Sequence, residues 1–103
     1  MTIYVAGPIS GRPKYNRPQF EEARREIDAQ GHTALIPHDY TEGLLHLGCP
    51  ALIWCLSMCK CVDVLLSCDA VLFLEGWEHS AGARREHDLA VEHGKTIYYY
   101  SLP

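Results

Sequence analysis

Four short apolar runs alternate with amphipathic segments along the chain, and this alternation is typical of an α/β protein with a parallel sheet. The predicted strands cover Thr2–Ala6, Thr33–Ile36, Ala70–Leu74 and Thr96–Tyr100. The third run is apolar throughout, which is the pattern of a strand that is buried on both faces. With the strand order 2-1-3-4, the chain reverses direction between the first and third strands, and sheets of this kind bind ligands at that point.

The helix after the third strand carries the most informative polar residue. Ser80 is a good N-cap residue, and the helix is predicted to run from there to His93. Glu86 then lies on the same stripe as Gly82 and Ala90. This spacing directs a carboxylate towards the carboxyl edge of the sheet. The alternative interpretation is a surface carboxylate that pairs with a neighbouring arginine.

Two other helices are predicted. The first begins near Asn16 and Pro18 and ends before Gly31. The second, from Pro50 to Ser67, is apolar on almost every side. Four strands cannot easily cover such a helix, so we expect part of it to meet another copy of the chain, in a homodimer or a larger homo-oligomer. The alternative is a helix buried under loops, such as the segment 38–48.

Composition limits the classes of partner. The 103 residues suffice for one domain, 1–103, and the formal net charge is -4 with no basic cluster. We therefore expect neither a nucleic acid polymer nor a membrane as a partner. The chain enters a strand without the pattern of a signal peptide, which predicts a cytoplasmic protein.

Five cysteines raise the question of a metal site or a disulfide framework. Their spacings contain no C-x-x-C pair and their number is odd; they are Cys49, Cys55, Cys59, Cys61 and Cys68. Cysteine commonly behaves as a small buried apolar residue. The sequence therefore predicts buried, unpaired thiols, with no metal and no cofactor.

Two loops are predicted to flank one crevice with Glu86 beneath it. The segment Gly7–Arg12 follows the first strand, and Glu75–Gly82 leads into the last helix. Glycine, proline and serine at these positions expose backbone N–H groups, although the first loop lacks the lysine of a P-loop. We expect an anion to be held between the Gly7–Gly11 loop and the helix start at Ser80–Gly82.

Three separated segments together resemble the nucleoside 2-deoxyribosyltransferase superfamily. They are Tyr4-Val5-Ala6-Gly7-Pro8-Ile9-Ser10-Gly11, Cys68-Asp69-Ala70-Val71 and Gly76-Trp77-Glu78-x-Ser80-x-Gly82-Ala83-x-x-Glu86. The likeness covers nearly the whole chain and is greatest to short deoxyribosyltransferase-like members found in phages and prophages. It implies a flavodoxin-like (Rossmann-like) three-layer sandwich with a four- or five-stranded parallel sheet.

The resemblance also implies a reaction and a set of site residues. Glu86 matches the nucleophile that attacks the anomeric carbon of a 2′-deoxynucleoside or its 5′-monophosphate, and Tyr4 matches the tyrosine beside it. A carboxylate of this kind forms a covalent glycosyl intermediate, which water or a second base then resolves. The expected substrate-binding residues are Gly7, Ile9, Ser10, Gly11, Asn16, Trp77, Ser80 and Gly82.

The sequence departs from the superfamily pattern at two positions. Ser80 replaces the aspartate of the transferases, and the nucleotide N-hydrolases carry serine there, beside the 5′-phosphate. Cys61 stands where active members have an aspartate that helps to protonate the leaving base. Asp63 is the nearest carboxylate, but two residues along a helix turn a side chain by about 200°. Either Asp63 serves after a local shift, or another group does, or the chain binds without turnover.

The expected function is therefore cleavage or exchange of the N-glycosidic bond of a deoxynucleotide, with Glu86 ionised near neutral pH. The alternative from another class is a non-catalytic nucleotide-binding protein that acts as a sensor or sequesters its ligand. A third hypothesis is a structural role in which the crevice is vestigial.

Overall fold

One parallel sheet of four strands forms the centre of the molecule. The computed structural model describes residues 1–9 and 11–103, apart from three side chains within the segment 42–46. The strands are β1 Thr2–Ala6, β2 Thr33–Leu35, β3 Ala70–Phe73 and β4 Thr96–Tyr99. Their order is β2-β1-β3-β4, and each neighbouring pair is parallel. The predicted α/β class and parallel pairing are confirmed, and the strand order is the one that was assumed in placing the crevice.

The helices begin and end close to the residues that the sequence predicts. They are α1 Arg17–Ala29, α2 His38–Thr41, α3 Pro50–Ser67 and α4 Ala81–Glu92, with 3-10 turns at Pro13–Asn16, Glu42–Leu47 and Trp77–His79. Proline occupies the first turn of both α1 and α3, where its missing N–H costs nothing. The Oγ atom of Ser80 accepts a hydrogen bond from the Ala83 N–H at 3.3 Å and caps α4.

Side chains of β1 alternate between the two faces of the sheet. Ile3 and Val5 pack with α1 on one face, in a cluster that includes Phe20 and Ile27. Tyr4 and Ala6 lie in a second cluster on the other face, together with α3 and α4 residues that include Cys61, Leu65 and Ala90. The expected three-layer sandwich is thus confirmed, with the sheet between α1 and the pair α3–α4.

The connections that leave β1 and β3 run close together before they separate. A Cβ atom at Gly7 would lie 3.0 Å from the Cβ of Leu74, which is closer than side chains normally approach. The glycine therefore allows the loop after β1 to pass directly beside the end of β3. The connection after β1 leads to α1 and the connection after β3 leads to α4, which covers the opposite face. The two connections therefore separate and leave an opening at the carboxyl edge of the sheet.

Helix α3 leaves much of its apolar surface uncovered. Only Cys61 and Leu65 are buried, whereas Leu52, Trp54 and Leu56 keep 46%, 48% and 39% of their surface exposed. The helix is long and apolar enough to meet the length and composition criterion for a membrane span, with a mean hydropathy of 1.5. A single helix of this kind is weak evidence for a membrane span, and 11% of this stretch is buried inside the structure.

The cysteines correct one prediction from the sequence. All five are free thiols, but only Cys61 and Cys68 are buried, and the remaining three are exposed on or just before α3. The prediction of buried thiols fails at these three positions because no layer of the described residues covers the outer side of α3.

Candidate active site

A cleft with a volume of about 720 Å³ opens at the carboxyl ends of the first three strands. Its floor is formed by β1 and α4, and α3 forms a largely apolar wall. The loops after β1 and β2 form the remaining sides. The side chains that line it come from all these elements, and they include Tyr4, Ile9, Lys14, His38, Met58, Cys61 and Glu86. This is the position at which open α/β sheets bind ligands.

Tyr4 and Glu86 form a buried pair at the floor of the cleft. The Tyr4 hydroxyl donates a hydrogen bond of 2.5 Å to Oε2 of Glu86. Tyr4 is fully buried and Glu86 keeps only 6% of its surface exposed. The two residues are far apart in the sequence, and the fold brings them together because Tyr4 faces the layer to which α4 belongs. The predicted pairing of these side chains is therefore present in the structure.

Burial controls the charge of the Glu86 carboxyl. Loss of solvent raises the pKa of Glu86 from 4.5 to about 7, although the Tyr4 hydrogen bond lowers it. The expectation that Glu86 is ionised near neutral pH is therefore met only in part, because burial outweighs the Tyr4 hydrogen bond. At neutral pH the carboxyl group is divided between its acid and its ionised form.

Tyr4 remains a hydrogen-bond donor throughout the physiological range. Burial, and then the neighbouring Glu86, raise the pKa of Tyr4 well above 10. A phenol in this state holds its proton and presents it to the carboxylate. Tyr4 therefore orients Glu86 and lowers the cost of its negative charge.

Cys61 lies beside the Tyr4 hydroxyl and lines the same cleft. Burial raises the pKa of the Cys61 thiol to about 11, and the nearby Glu86 adds to this effect. The side chain is therefore a neutral thiol rather than a thiolate nucleophile. A neutral sulfhydryl group thus stands where the resemblance expects a carboxylic acid.

Asp63 is not brought to the cleft. It lies on α3 two residues after Cys61, its surface is exposed, and it is not among the described residues that line the cleft. Helix α3 is regular through this segment, so the Asp63 side chain points about 200° away from the Cys61 side chain. This placement gives no support to Asp63 as a catalytic residue.

Four of the expected substrate-binding residues line the cleft. Gly7 and Ile9 contribute from the loop after β1, and Ser80 and Gly82 from the start of α4. A Cβ atom at Gly82 would lie 3.2 Å from Sδ of Met58, so this glycine lets α4 approach α3 closely. Ser10, also expected to bind substrate, lies outside the described residues.

The described residues that line the cleft do not include three of the expected ones, which are Gly11, Asn16 and Trp77. Asn16 instead donates hydrogen bonds to the Pro8 carbonyl and to Gln19, and so fixes the loop after β1. Trp77 stacks on His87 with ring centroids 4.4 Å apart. The two predicted loops also meet outside the cleft, since Arg12 and the segment 75–76 border a separate pocket of about 410 Å³.

Several cleft residues carry no clear signal in the sequence. Lys14, Tyr15 and His38 line the side formed by the loops after β1 and β2. Lys14 and Tyr15 both have φ near +54°, an uncommon conformation for residues other than glycine. This turn brings their side chains to the cleft, and no glycine marks it in the sequence. The sequence showed that α3 is apolar, but it did not show which side of the helix lines the cleft.

Comparison with solved structures shows where the fold occurs elsewhere. The 2-desoxiribosyltransferase from Leishmania mexicana has a similar structure, with a TM-score of 0.69 and 24% sequence identity. The alignment covers 99% of this chain and 65% of that chain, so the present protein spans about two thirds of the length of that enzyme. This likeness shows that the two proteins share a fold.

Sequence comparison gives a narrower assignment. No curated protein matches the chain significantly. A family model with the description "Domain of unknown function (DUF4406)" matches residues 1–99, which is nearly the entire sequence. The chain therefore belongs to the DUF4406 family.

Proposed function

We propose that the protein cleaves or exchanges the N-glycosidic bond of a 2′-deoxynucleoside 5′-monophosphate, with Glu86 as the nucleophile. The observation that carries this proposal is the buried Tyr4–Glu86 hydrogen bond at the floor of the cleft. A carboxyl group with 6% exposure and a pKa near 7, held by a tyrosine inside a cleft, is costly for stability and is typical of functional sites. The similar fold of a 2-desoxiribosyltransferase supports the class of reaction.

The chemistry requires the ionised form of Glu86. The Tyr4 hydrogen bond occupies Oε2, and the other carboxylate oxygen attacks the anomeric carbon while the C–N bond breaks. The base leaves with the bonding electron pair and takes a proton from water. Water or a second base then attacks the glycosyl–Glu86 ester and releases the carboxylate. The first acceptor gives hydrolysis and the second gives transfer.

A monophosphate suits the polar end of the cleft better than a free nucleoside. The first N–H groups of α4 follow Ser80, and helix N-termini favour anions. Lys14 adds a positive charge to the cleft lining. The α3 wall offers apolar side chains such as Ile53 and Met58 to the flat face of a base.

A second candidate function is favoured by the side chain at position 61. Cys61 supplies a thiol with a pKa of about 11, which is a weak acid for protonating a departing base. In this alternative, the protein binds a deoxynucleotide in the same cleft without turnover and acts as a sensor or a sequestering protein. This candidate requires ligand binding but no release of base.

Two measurements on the wild-type protein test the proposal. Each common deoxynucleoside monophosphate is incubated with the protein, and free base is followed by chromatography. The melting temperature is measured with and without each nucleotide, since a ligand of the folded state raises it. Base release supports the enzyme, and stabilisation without base release supports the binder. If no nucleotide gives either base release or stabilisation, both candidate functions are contradicted.

A further inference from the structure

A buried histidine forms part of the cleft wall on the side away from α4. His38 begins α2, directly after β2, and keeps only 4% of its surface exposed. Its ring packs edge-on against Phe20, with centroids 4.7 Å apart. The ring is therefore fixed in place by the core beneath it.

The hydrogen bond at one ring nitrogen determines the state of the other. Nε2 of His38 lies 2.7 Å from the carbonyl oxygen of Tyr15. A carbonyl group only accepts, so Nε2 carries the proton and donates it. Burial lowers the pKa of His38, which keeps the imidazole neutral at physiological pH. Nδ1 is then an unprotonated acceptor.

This acceptor has no partner in the protein. Nδ1 of His38 is buried and makes no hydrogen bond to any described residue. A buried acceptor without a partner costs free energy, and such groups usually have a functional explanation. Nδ1 itself is closed to solvent, but His38 is among the residues that line the cleft, so a ligand that binds there with a small movement of the cleft wall is the available source of a donor.

The chemistry of Nδ1 excludes a phosphate at this position. Phosphate oxygens at neutral pH are acceptors, and they repel the lone pair of a neutral imidazole. The phosphate is instead expected at the start of α4, which follows β3. Ser80 at the start of α4 and His38 after β2 both line this cleft, and β1 lies between β2 and β3 in the sheet. A nucleotide that lies across β1 therefore presents its base to His38.

We propose that Nδ1 of His38 accepts a hydrogen bond from the exocyclic amino group of the bound base, and so selects adenine or cytosine over hypoxanthine or uracil. The deaminated bases carry a carbonyl oxygen at the same position. That oxygen is an acceptor, so it faces the Nδ1 lone pair without a proton between them. This assignment rests on the proposed function and adds the chemical class of base to it.

Two matched pairs of nucleotides test the assignment. Affinities of dAMP and dIMP, and of dCMP and dUMP, are measured by calorimetry with the wild-type protein and with His38→Gln. The wild type should bind the amino member of at least one pair about tenfold more tightly, as expected for one hydrogen bond. In His38→Gln the amide can still donate to the Tyr15 carbonyl, but it places no acceptor at the position of Nδ1. The preference should fall below about threefold.

A second variant separates recognition from structural support. His38→Asn places an amide oxygen near the position of Nδ1. This variant should therefore recover part of the preference for the amino base. Loss of the fold would instead weaken the binding of both members of a pair equally. Equal affinities within both pairs in the wild type, or a preference that persists in His38→Gln, would overturn the assignment of His38. The proposed function would be unaffected by either result. If the wild type binds none of the four nucleotides, the proposed function fails as well.

Discussion

For Glu86, the sequence predicts the position of the side chain but not its charge state. The position of Glu86 on the inner stripe of α4 follows from helical spacing in the sequence. Its charge state does not follow, because desolvation depends on how completely Tyr4, α3 and the sheet enclose the carboxyl group. The pKa of about 7 is a property of the assembled fold.

The raised pKa predicts a pH-dependent gain in stability for Glu86→Gln. Between pH 4.5 and about 7, the folded wild type retains a proton that the unfolded chain has lost. The free energy of unfolding therefore falls as the pH rises through this window and levels off above it. Glutamine does not titrate and can still accept the Tyr4 hydrogen bond. We expect the variant to be more stable than the wild type at pH 8 by up to about 3 kcal/mol.

Denaturant unfolding at pH 5 and pH 8 checks this prediction. The difference between the two proteins should be small at pH 5 and should grow at pH 8. A difference of the same size at both pH values would mean that burial does not raise the pKa of Glu86.

Cys61 gives a second prediction at the scale of one residue. Cys61→Asp places a carboxyl group beside Tyr4 and Glu86, where burial and like charge raise its pKa and keep it protonated. Such an acid can protonate the leaving base, so base release should increase by at least about tenfold, a small part of what a well-placed general acid contributes. Cys61→Asn has the same shape without the acid, and equal rates for the two variants would refute the explanation.

At the scale of elements, the predictable features were those with a local cause. Proline at the starts of α1 and α3 and the Ser80 cap marked three helix starts in the sequence, and the apolar runs marked the strands. The left-handed turn at Lys14–Asn16 has no glycine and was not predicted. His38 was likewise missed, because its role depends on contacts with Phe20 and Tyr15 across the fold.

The expected phosphate site at the start of α4 leads to a prediction about the relative affinities for nucleotides and nucleosides. Ser80→Asp keeps an oxygen that caps the Ala83 N–H but adds a negative charge beside the expected phosphate. The affinity for a deoxynucleoside monophosphate should fall by at least about tenfold, whereas the affinity for the nucleoside should change by less than about threefold. Ser80→Asn is the neutral control with the same cap. Equal losses for nucleotide and nucleoside would place the phosphate elsewhere.

At the scale of the whole molecule, the exposed side of α3 is the feature that the single chain leaves unexplained. Alternation of strands and helices was sufficient to predict a parallel α/β sheet, whereas the three layers were implied by the family resemblance and the strand order was an assumption. The alternation was not sufficient to predict the cleft walls, because these combine α3 with irregular segments after β1 and β2. The sequence-based expectation of a homo-oligomer remains a proposal, and the exposed Leu52 and Leu56 support it.

Sedimentation tests that proposal. The wild type should form a homodimer or a larger symmetric assembly at micromolar concentrations. Replacing Leu52 and Leu56 by lysine, which leaves the cleft lining intact, should give a monomer. Asp63→Lys changes the charge on the polar side of the same helix and should leave the assembly in place. A monomeric wild-type protein would contradict the proposal.

The most direct test of the central claim is the rate of base release by the wild type and by Glu86→Gln at pH 8, where the wild-type carboxyl group is mostly ionised. The variant should release base at least about a hundredfold more slowly, which is the lower range for loss of a positioned catalytic group. Nucleotide binding should largely persist, because the expected phosphate and base contacts lie on other residues. Undiminished base release by the variant would contradict the assignment of Glu86 as the nucleophile. Nucleotide binding without base release in either protein would contradict the enzymatic function itself.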